Sequence, residues 1–572
     1  MGVKAAVKAN GLIMAIVWML ITAAPYAYAA FHEQLAIDTV AISLANTVTA
    51  RPPGHASIHY NPAGLSQLPD GKYFSNGLTV PVIEKTSSFS QDPDFEGFLG
   101  GFKDDPVDGK SGTSSSGRMY LPFYNDTIDF LFAPTLGLSY RKPGSKWTFA
   151  VGQYAPFAVG LVHGDEGDPS VYGGKSVYQQ HLVYIAPAVS FQMTPTFSVG
   201  LTVGLGQTAM GAEVDMRAPN DMVALTKVLG DATAGLEIPI LSELTLPPPW
   251  FGGGIGPYSQ VASLDMSLRD DFSPNYNVGL LWEPWEWLAF GVCYQSEIKT
   301  QLTGNYRIDY SEDWQRMVNW FGSSPLLVIT SGVFDLPMTP VSHQAGTVTS
   351  QITFPQRAQF GIKIKPFSRL SLMADLHWAD WSVLKEDKFI FDQDIQLLRL
   401  VKMLGYTGGN DTMVLTRNFK DTWHWSVGLE YDILDWLTFR CGYEKRETSV
   451  QPELFDLMYA LPDLENFGTG FGIKLKNGMT IDIAAGYVIN ESYAVPNNTS
   501  TNMNSTVFTN PVYNPYAGLD YEQKTVTYMG SFKLSMPTHV MAEMLHHQLE
   551  TIKHIFSYLN PFSKRDGDSS HE

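Results

Sequence analysis

The chain has 572 residues, of which 17% are charged and 13% aromatic, with 50 glycines and a formal net charge of −19. A typical soluble domain has about 25% charged residues, so this composition argues against an ordinary soluble protein, and the acidic balance argues against a nucleic-acid partner. Two cysteines, Cys293 and Cys441, are too few for a disulfide framework and are expected as free thiols; no Cys/His cluster suggests a metal, and no cofactor is expected.

In chain order, Lys4 and Lys8, the apolar run Gly11 to Ala24 and the site Ala27-Tyr28-Ala29 read as an export signal over residues 1–29. The apolar run is shorter than the ~20 residues a spanning helix needs, and no later run is long enough. The stretch "SIHYNPAGLSQLPD" (57–70) follows. Pro62 fixes φ and pushes Asn61 extended, so a stiff turn is expected before any strand begins.

From residue 72 the period is two. In "TWHWSVGLEYD" (422–432), Trp423, Trp425, Val427, Leu429 and Tyr431 oppose His424, Ser426, Gly428, Glu430 and Asp432. "WLTFRCGYE" and "MTIDIAAGYVIN" repeat the alternation. Strands are predicted at 72–89, 129–142, 146–158, 177–193, 196–217, 259–283, 286–308, 350–365, 369–385, 421–433, 436–448, 465–476, 478–491 and 520–536, about fourteen in all. Short turns such as "PGS", "EPWE", "PFS" and "KNG" alternate with segments of up to about forty residues, as the two rims of a membrane barrel require.

An all-β, antiparallel transmembrane barrel is therefore expected over 72–536. Hydrocarbon offers no water to unpaired backbone groups, so a sheet spans it only when closed. Trp282, Trp285, Trp287 and Trp436 crowd the short turns, as an interfacial girdle would. Fourteen strands enclose more space than side chains fill, and residues 30–71 are the expected plug. Alternation points Lys299, Arg357, Lys363 and Arg440 inward, together with Glu297, Asp375, Glu430 and Asp482. The two long loops 218–258 and 309–349 are more apolar than exposure warrants, and Trp250, Phe251, Trp320, Phe321, Leu326 and Leu327 are their candidate ligand-binding residues. Past the last strand, residues 537–572 form a periplasmic extension in which Met541, Leu545, Gln548, Ile552, Ile555 and Leu559 share one face of an expected amphipathic helix.

Several segments carry a family resemblance. "NYNVGLLWEPWEWLAFGVCYQSEIKTQLTGNY" (275–306), with Tyr294, Ser296, Glu297, Lys299, Gly304, Asn305 and Tyr306, joins "FKDTWHWSVGLEYD", "LPDLENFGTGFGIKL" and the Asn61-Pro62-Ala63 turn. Together, over about residues 31–536, they resemble the FadL family of outer-membrane transporters for long-chain fatty acids and other hydrophobic compounds. The resemblance implies that Asn61, Pro62 and Ala63 belong to an N-terminal hatch, that the two apolar loops form an outer groove, and that cargo leaves sideways at a kink in the third strand. Here that strand holds Pro156, which cannot donate to a ladder, so Tyr154, Ala155, Pro156, Phe157 and Gly160 mark the expected lateral opening. If the cargo has a carboxylate, Lys299, Arg357, Lys363 and Arg440 are its candidate contacts.

The expected function is passive uptake of fatty acids or similar molecules by a monomer seated in outer-membrane lipid and lipopolysaccharide. A general porin is the alternative, although it needs neither hatch nor apolar loops. A lipid-modifying barrel enzyme is the weaker one, since no Gly-x-Ser-x-Gly elbow or His-Glu-x-x-His motif is present.

Overall fold

The period-two segments become the wall of a closed barrel. The computed structural model describes residues 36–122, 126–163, 167–236, 246–402, 405–458, 463–490, 492–507, 513–544 and 546. The export signal and most of the C-terminal extension lie outside the described residues; residues 538–544, which begin that extension, are helical.

Fourteen antiparallel wall positions follow in order. They are β1 (Gly71–Gln91), β2 (Ser111–Ser116 with Ala133–Arg141), β3 (Trp147–His163), β4 (Ser176–Thr194), β5 (Phe197–Arg217), β6 (Gln260–Trp285) and β7 (Leu288–Gln295 with Leu302–Tyr310). The rest are β8 (His343–Ser350 with Arg357–Phe367), β9 (Leu370–Ala379 with Glu386–Phe391), β10 (Thr412–Thr416 with Thr422–Leu434), β11 (Leu437–Arg446), β12 (Leu464–Lys474), β13 (Thr480–Ile489 with Tyr493–Val495) and β14 (Leu519–Pro537). β1 pairs with β14 from Tyr73↔Pro537 to Gln91↔Leu519, which leaves the sheet without an edge.

The strands agree with the periodicity except where the wall is interrupted. β2, β7, β8, β9, β10 and β13 are each in two pieces, so the runs expected at 286–308, 350–365 and 369–385 are not continuous. At β7 and β8 the two interruptions pair with each other, Ile298–Lys299 with Thr353–Phe354, in a small sheet apart from the wall.

Outward positions are apolar and exposed, among them Leu201, Val203, Val278, Leu280, Phe471, Ile483 and Phe532. Trp282, Trp285, Trp287 and Trp436 are exposed near the short turns, and Trp285 stacks on Trp287 at 5.4 Å. Exposed indoles at one rim suit an interface where the ring sits in lipid and the N–H stays wet. Among the described residues no helix is long and apolar enough to cross a membrane. Cys293 and Cys441 are free thiols.

Two large apolar cores lie inside this wall among the described residues, beside two small clusters around Phe98 and Tyr120. One joins residues 36–68 to the lower lumen, through side chains such as Ile42, Leu44, Ile58 and Leu65. The other fills the upper lumen and the outer loops, through Trp314, Met317, Phe321, Trp381 and Phe389.

Candidate functional site: a plugged lumen beside a broken ladder

The plug begins with Asp38, whose side chain caps the helix α1 (Thr39–Ser43) by accepting from Val40 N at 2.8 Å. A second short helix, α2 (Ser57–Tyr60), runs into Asn61. Asn61 is extended, at φ −168° and ψ 99°, as the residue before a proline must be. Its Oδ1 accepts from Ala63 N (3.2 Å), and its Nδ2 donates to Thr49 O (2.9 Å) and to Leu280 O of β6 (3.0 Å). Asn61-Pro62-Ala63 thus ties one turn of the plug to another and to the wall. Ser190 of β4 donates to Ala63 O at 3.1 Å, and Thr202 of β5 donates to Ile58 O at 2.8 Å.

The wall makes room for this backbone with a belt of inward glycines. A Cβ at Gly200 would lie 2.2 Å from the Pro62 carbonyl carbon, and one at Gly279 would lie 2.1 Å from Asn61 Oδ1. Likewise Gly291 faces Thr49, Gly442 faces Leu44 and Gly468 faces Ile42. Strand register places them side by side: Gly200 opposite Gly279, Gly291 opposite Gly361, and Gly428, Gly442, Gly468 and Gly486 in an unbroken row. Only hydrogen side chains permit such close approach in an interior packed without voids.

Charges complete the seat. Asp375 accepts from Val48 N (2.8 Å) and Thr49 N (2.7 Å). Lys533 pairs with Asp38 at 2.7 Å. Arg440 bridges Glu430 (2.7 Å) and Asp482 (2.8 Å), and Arg51 of the plug also reaches Glu430 at 2.7 Å. Of the four expected carboxylate contacts, Arg440 is therefore committed to this lattice, and Lys363 pairs with Glu283 at 3.4 Å. Lys299 does not face the lumen: it is exposed and paired with Glu297 at 2.7 Å, while its neighbour Ile298 is buried. The interruption of β7 resets the alternation there. Arg357 alone of the four lines a polar chamber of about 420 Å³ above the plug, with His59, Gln359, His377, His424, Glu444 and Arg446. His377 and His424 stack in that chamber at 5.2 Å.

The ladder breaks at β2. Its lower piece pairs with β3 only as far as Leu136↔Gln153, and its upper piece resumes at Ser116↔Leu161. Neither piece of β2 pairs with positions 154–159 of β3. On the other side the register with β4 shifts between Gly152 and Tyr154 and again between Tyr154 and Phe157. Pro156, with no N–H, lies inside this double irregularity. Tyr154 is buried against His59 of the plug at 5.1 Å, and Phe157 against Phe354 at 4.4 Å. Ala155 is half-buried between them.

A strap covers the outer face at the upper end of the break. Gly160 O accepts from Gly117 N at 3.1 Å, and a Cβ at Gly160 would strike the carbonyls of Gly117 and Arg118. From there the chain crosses β4 to β6. Arg118 bonds Ser176 and Glu213, Tyr120 exchanges two bonds with Gln180, and Arg269 donates to the Tyr120 hydroxyl at 2.7 Å.

The expected groove residues pack on one another. Phe251 meets Trp320 at 4.8 Å and Phe321 at 6.3 Å, and Trp320 Nε1 donates to Pro247 O at 2.6 Å. Trp320, Phe321 and Leu327 are buried, whereas Trp250, Phe251 and Leu326 are half-buried. Below this cluster an apolar pocket opens between the upper wall and helix α6 (Gln396–Lys402), enclosing about 570 Å³ when the space open to solvent is counted. Here α3 (Asp221–Thr233), α4 (Glu312–Phe321) and α5 (Pro325–Val333) are the helices of the two long loops. Met216, Leu264, Ile308, Phe391, Leu398 and Met413 line the cavity, and Arg217 at its edge is neutralised by Asp105 at 2.8 Å.

The family described as outer membrane protein transport protein (OMPP1/FadL/TodX) matches residues 18–533. The chain belongs to this family. The FadL/TodX architecture recurs in solved structures. A Pseudomonas aeruginosa FadL homologue shares 15% identity over 88% of this chain and 99% of that one, with a TM-score of 0.61. The Pseudomonas putida toluene transporter TodX gives 15%, 88%, 99% and 0.54, and the Ralstonia pickettii toluene transporter TbuX gives 17%, 88%, 98% and 0.50. No curated protein sequence matches.

Membership places this FadL/TodX chain in the outer membrane as a transport protein rather than an enzyme. Sequence reasoning missed three parts of the site: the glycine belt, the strap at 117–122 and Phe354. The belt had a signal, since Gly428, Gly442 and Gly486 fall on the polar face of their strands.

Proposed function

We propose that this protein carries hydrophobic small molecules, long-chain fatty acids among them, passively inward across the outer membrane, as a monomer in contact with lipid and lipopolysaccharide. The observation that carries the reading is the apolar cavity in the outer lobe, joined by one continuous apolar core to the break beside Pro156. Its almost wholly apolar lining suits a hydrophobic ligand, and each CH₂ withdrawn from water gains about 0.8 kcal/mol, enough to draw an acyl chain inward without an energy source. The solved relatives named as toluene transporters point to the same class of cargo.

In this reading the outer lobe captures the cargo and the plug bars the axial route. Release then occurs sideways, between β2 and β3, once the strap lifts. Arg357, which lines the polar chamber, is the cation placed to meet a carboxylate there. Replacing residues 154–160 by a regular alternating stretch, with a donor at position 156, is expected to abolish uptake into vesicles with an outer lipopolysaccharide leaflet, while labelled palmitate still binds the lobe. Undiminished uptake by that variant contradicts the lateral route.

A further inference from the structure

The wall loses its ladder at one level on two sides of the lumen. Phe157 lies in register with His181, His181 with Thr208, and Thr208 with Asp270, whose carboxylate accepts from Gln301 N at 2.8 Å. Gln301 belongs to the interruption of β7. There Ile298–Lys299 leaves the wall and pairs only with Thr353–Phe354, the matching interruption of β8. Each irregular stretch sends one aromatic ring inward, and the two rings meet: Phe157 and Phe354 are 5% and 4% exposed, with centroids 4.4 Å apart. His181 stacks behind Phe157 at 5.7 Å.

We propose that Phe157 and Phe354 form the width filter of this transporter and determine which hydrophobic molecules pass from the outer cavity to the break in β3. The proposal rests on the transport reading above. The pair stands between the two: both rings belong to the apolar core that lines the cavity through Leu264, Ile308 and Phe391, and Phe157 itself lies within the break. It also sits on backbone that can yield. Neither ring's carrier is held by a full ladder, so shifting the backbone that bears the rings ruptures fewer wall hydrogen bonds than shifting a regular strand. A tilted aromatic contact gives the closed state definition at modest cost. A slim chain can then displace the rings slightly, and a fused-ring molecule must part them fully.

The test uses the whole protein in vesicles whose outer leaflet is lipopolysaccharide, with palmitate as a slim probe and pyrene as a wide one. Phe157→Ala and Phe354→Ala are each expected to raise pyrene entry relative to palmitate entry by about tenfold, and Phe157→Trp to lower it. The ratio matters because a general loss of packing changes both probes alike. Phe157→Leu and Phe354→Leu, which keep an apolar filling, read the same ratio if the alanine variants do not assemble. An unchanged ratio in the assembled variants overturns the filter while leaving transport intact. Wild-type vesicles that pass neither probe overturn the transport reading, and the filter with it.

Discussion

Gly279→Val is expected to unseat the plug and turn a closed barrel into one that leaks water-soluble solutes. The added Cβ would lie 2.1 Å from Asn61 Oδ1, on a side chain held by three hydrogen bonds, 2.7 Å from Pro62 Cδ in a closed ring and 2.9 Å from the Pro62 backbone nitrogen. Overpacking of this kind costs about 1–3 kcal/mol. The wall strand is held by ladders on both sides, to Gly200 on β5 and Cys293 on β7, whereas the plug is held by scattered side-chain bonds. The plug therefore moves first. Valine at Gly530, where an added Cβ meets nothing within 4 Å, is the matched control. Single-channel conductance in planar bilayers distinguishes them: steady ion flow through Gly279→Val and none through Gly530→Val. Silent bilayers with both, from correctly folded protein, would show that the glycine belt does not seat the plug.

Arg440→Met is expected to be far more destabilising than Lys363→Met, the other wall cation paired with a carboxylate among the four expected contacts that face the lumen. The Arg440, Glu430 and Asp482 side chains are 7%, 12% and 8% exposed. Removing the cation strands Asp482 and leaves Glu430 to Arg51 alone, and breaking a buried pair in this way costs about 3–5 kcal/mol. Lys363→Met removes a partner from Glu283, which is 34% exposed, and at such a solvated pair the loss stays below about 1 kcal/mol. Denaturant titrations of both refolded variants check the contrast. Equal midpoints would mean that the Arg440 cluster contributes nothing to holding plug and wall together.

How much of this was legible beforehand depends on which interactions fix each part. Lipid on one side and a polar lumen on the other force every wall strand to alternate, so runs such as 422–432 and 479–490 betray both their period and their inner face. The hatch turn was readable because proline constrains its neighbour locally: Asn61 is extended for a reason contained in two residues. The parts that stayed hidden depend on partners distant in the chain. Lys299 looked inward by strict alternation, but the alternation fails across the interruption that pairs Ile298 with Phe354. Trp320 and Phe321 looked like a groove because apolar loop residues signal burial without saying against what. Here they are buried against Phe251, and the cavity lies below them, lined by residues of five wall strands and α6. The glycine belt appears only when register sets Gly428, Gly442, Gly468 and Gly486 in a row.

The central claim is that a barrel stoppered against water passes hydrophobic molecules. The direct measurement is paired entry of labelled palmitate and a small hydrophilic dye into lipopolysaccharide-coated vesicles, with and without the purified protein. The account predicts that the protein accelerates palmitate and leaves the dye outside; entry of the dye with no gain in palmitate would contradict it and mark the protein as a water-filled porin.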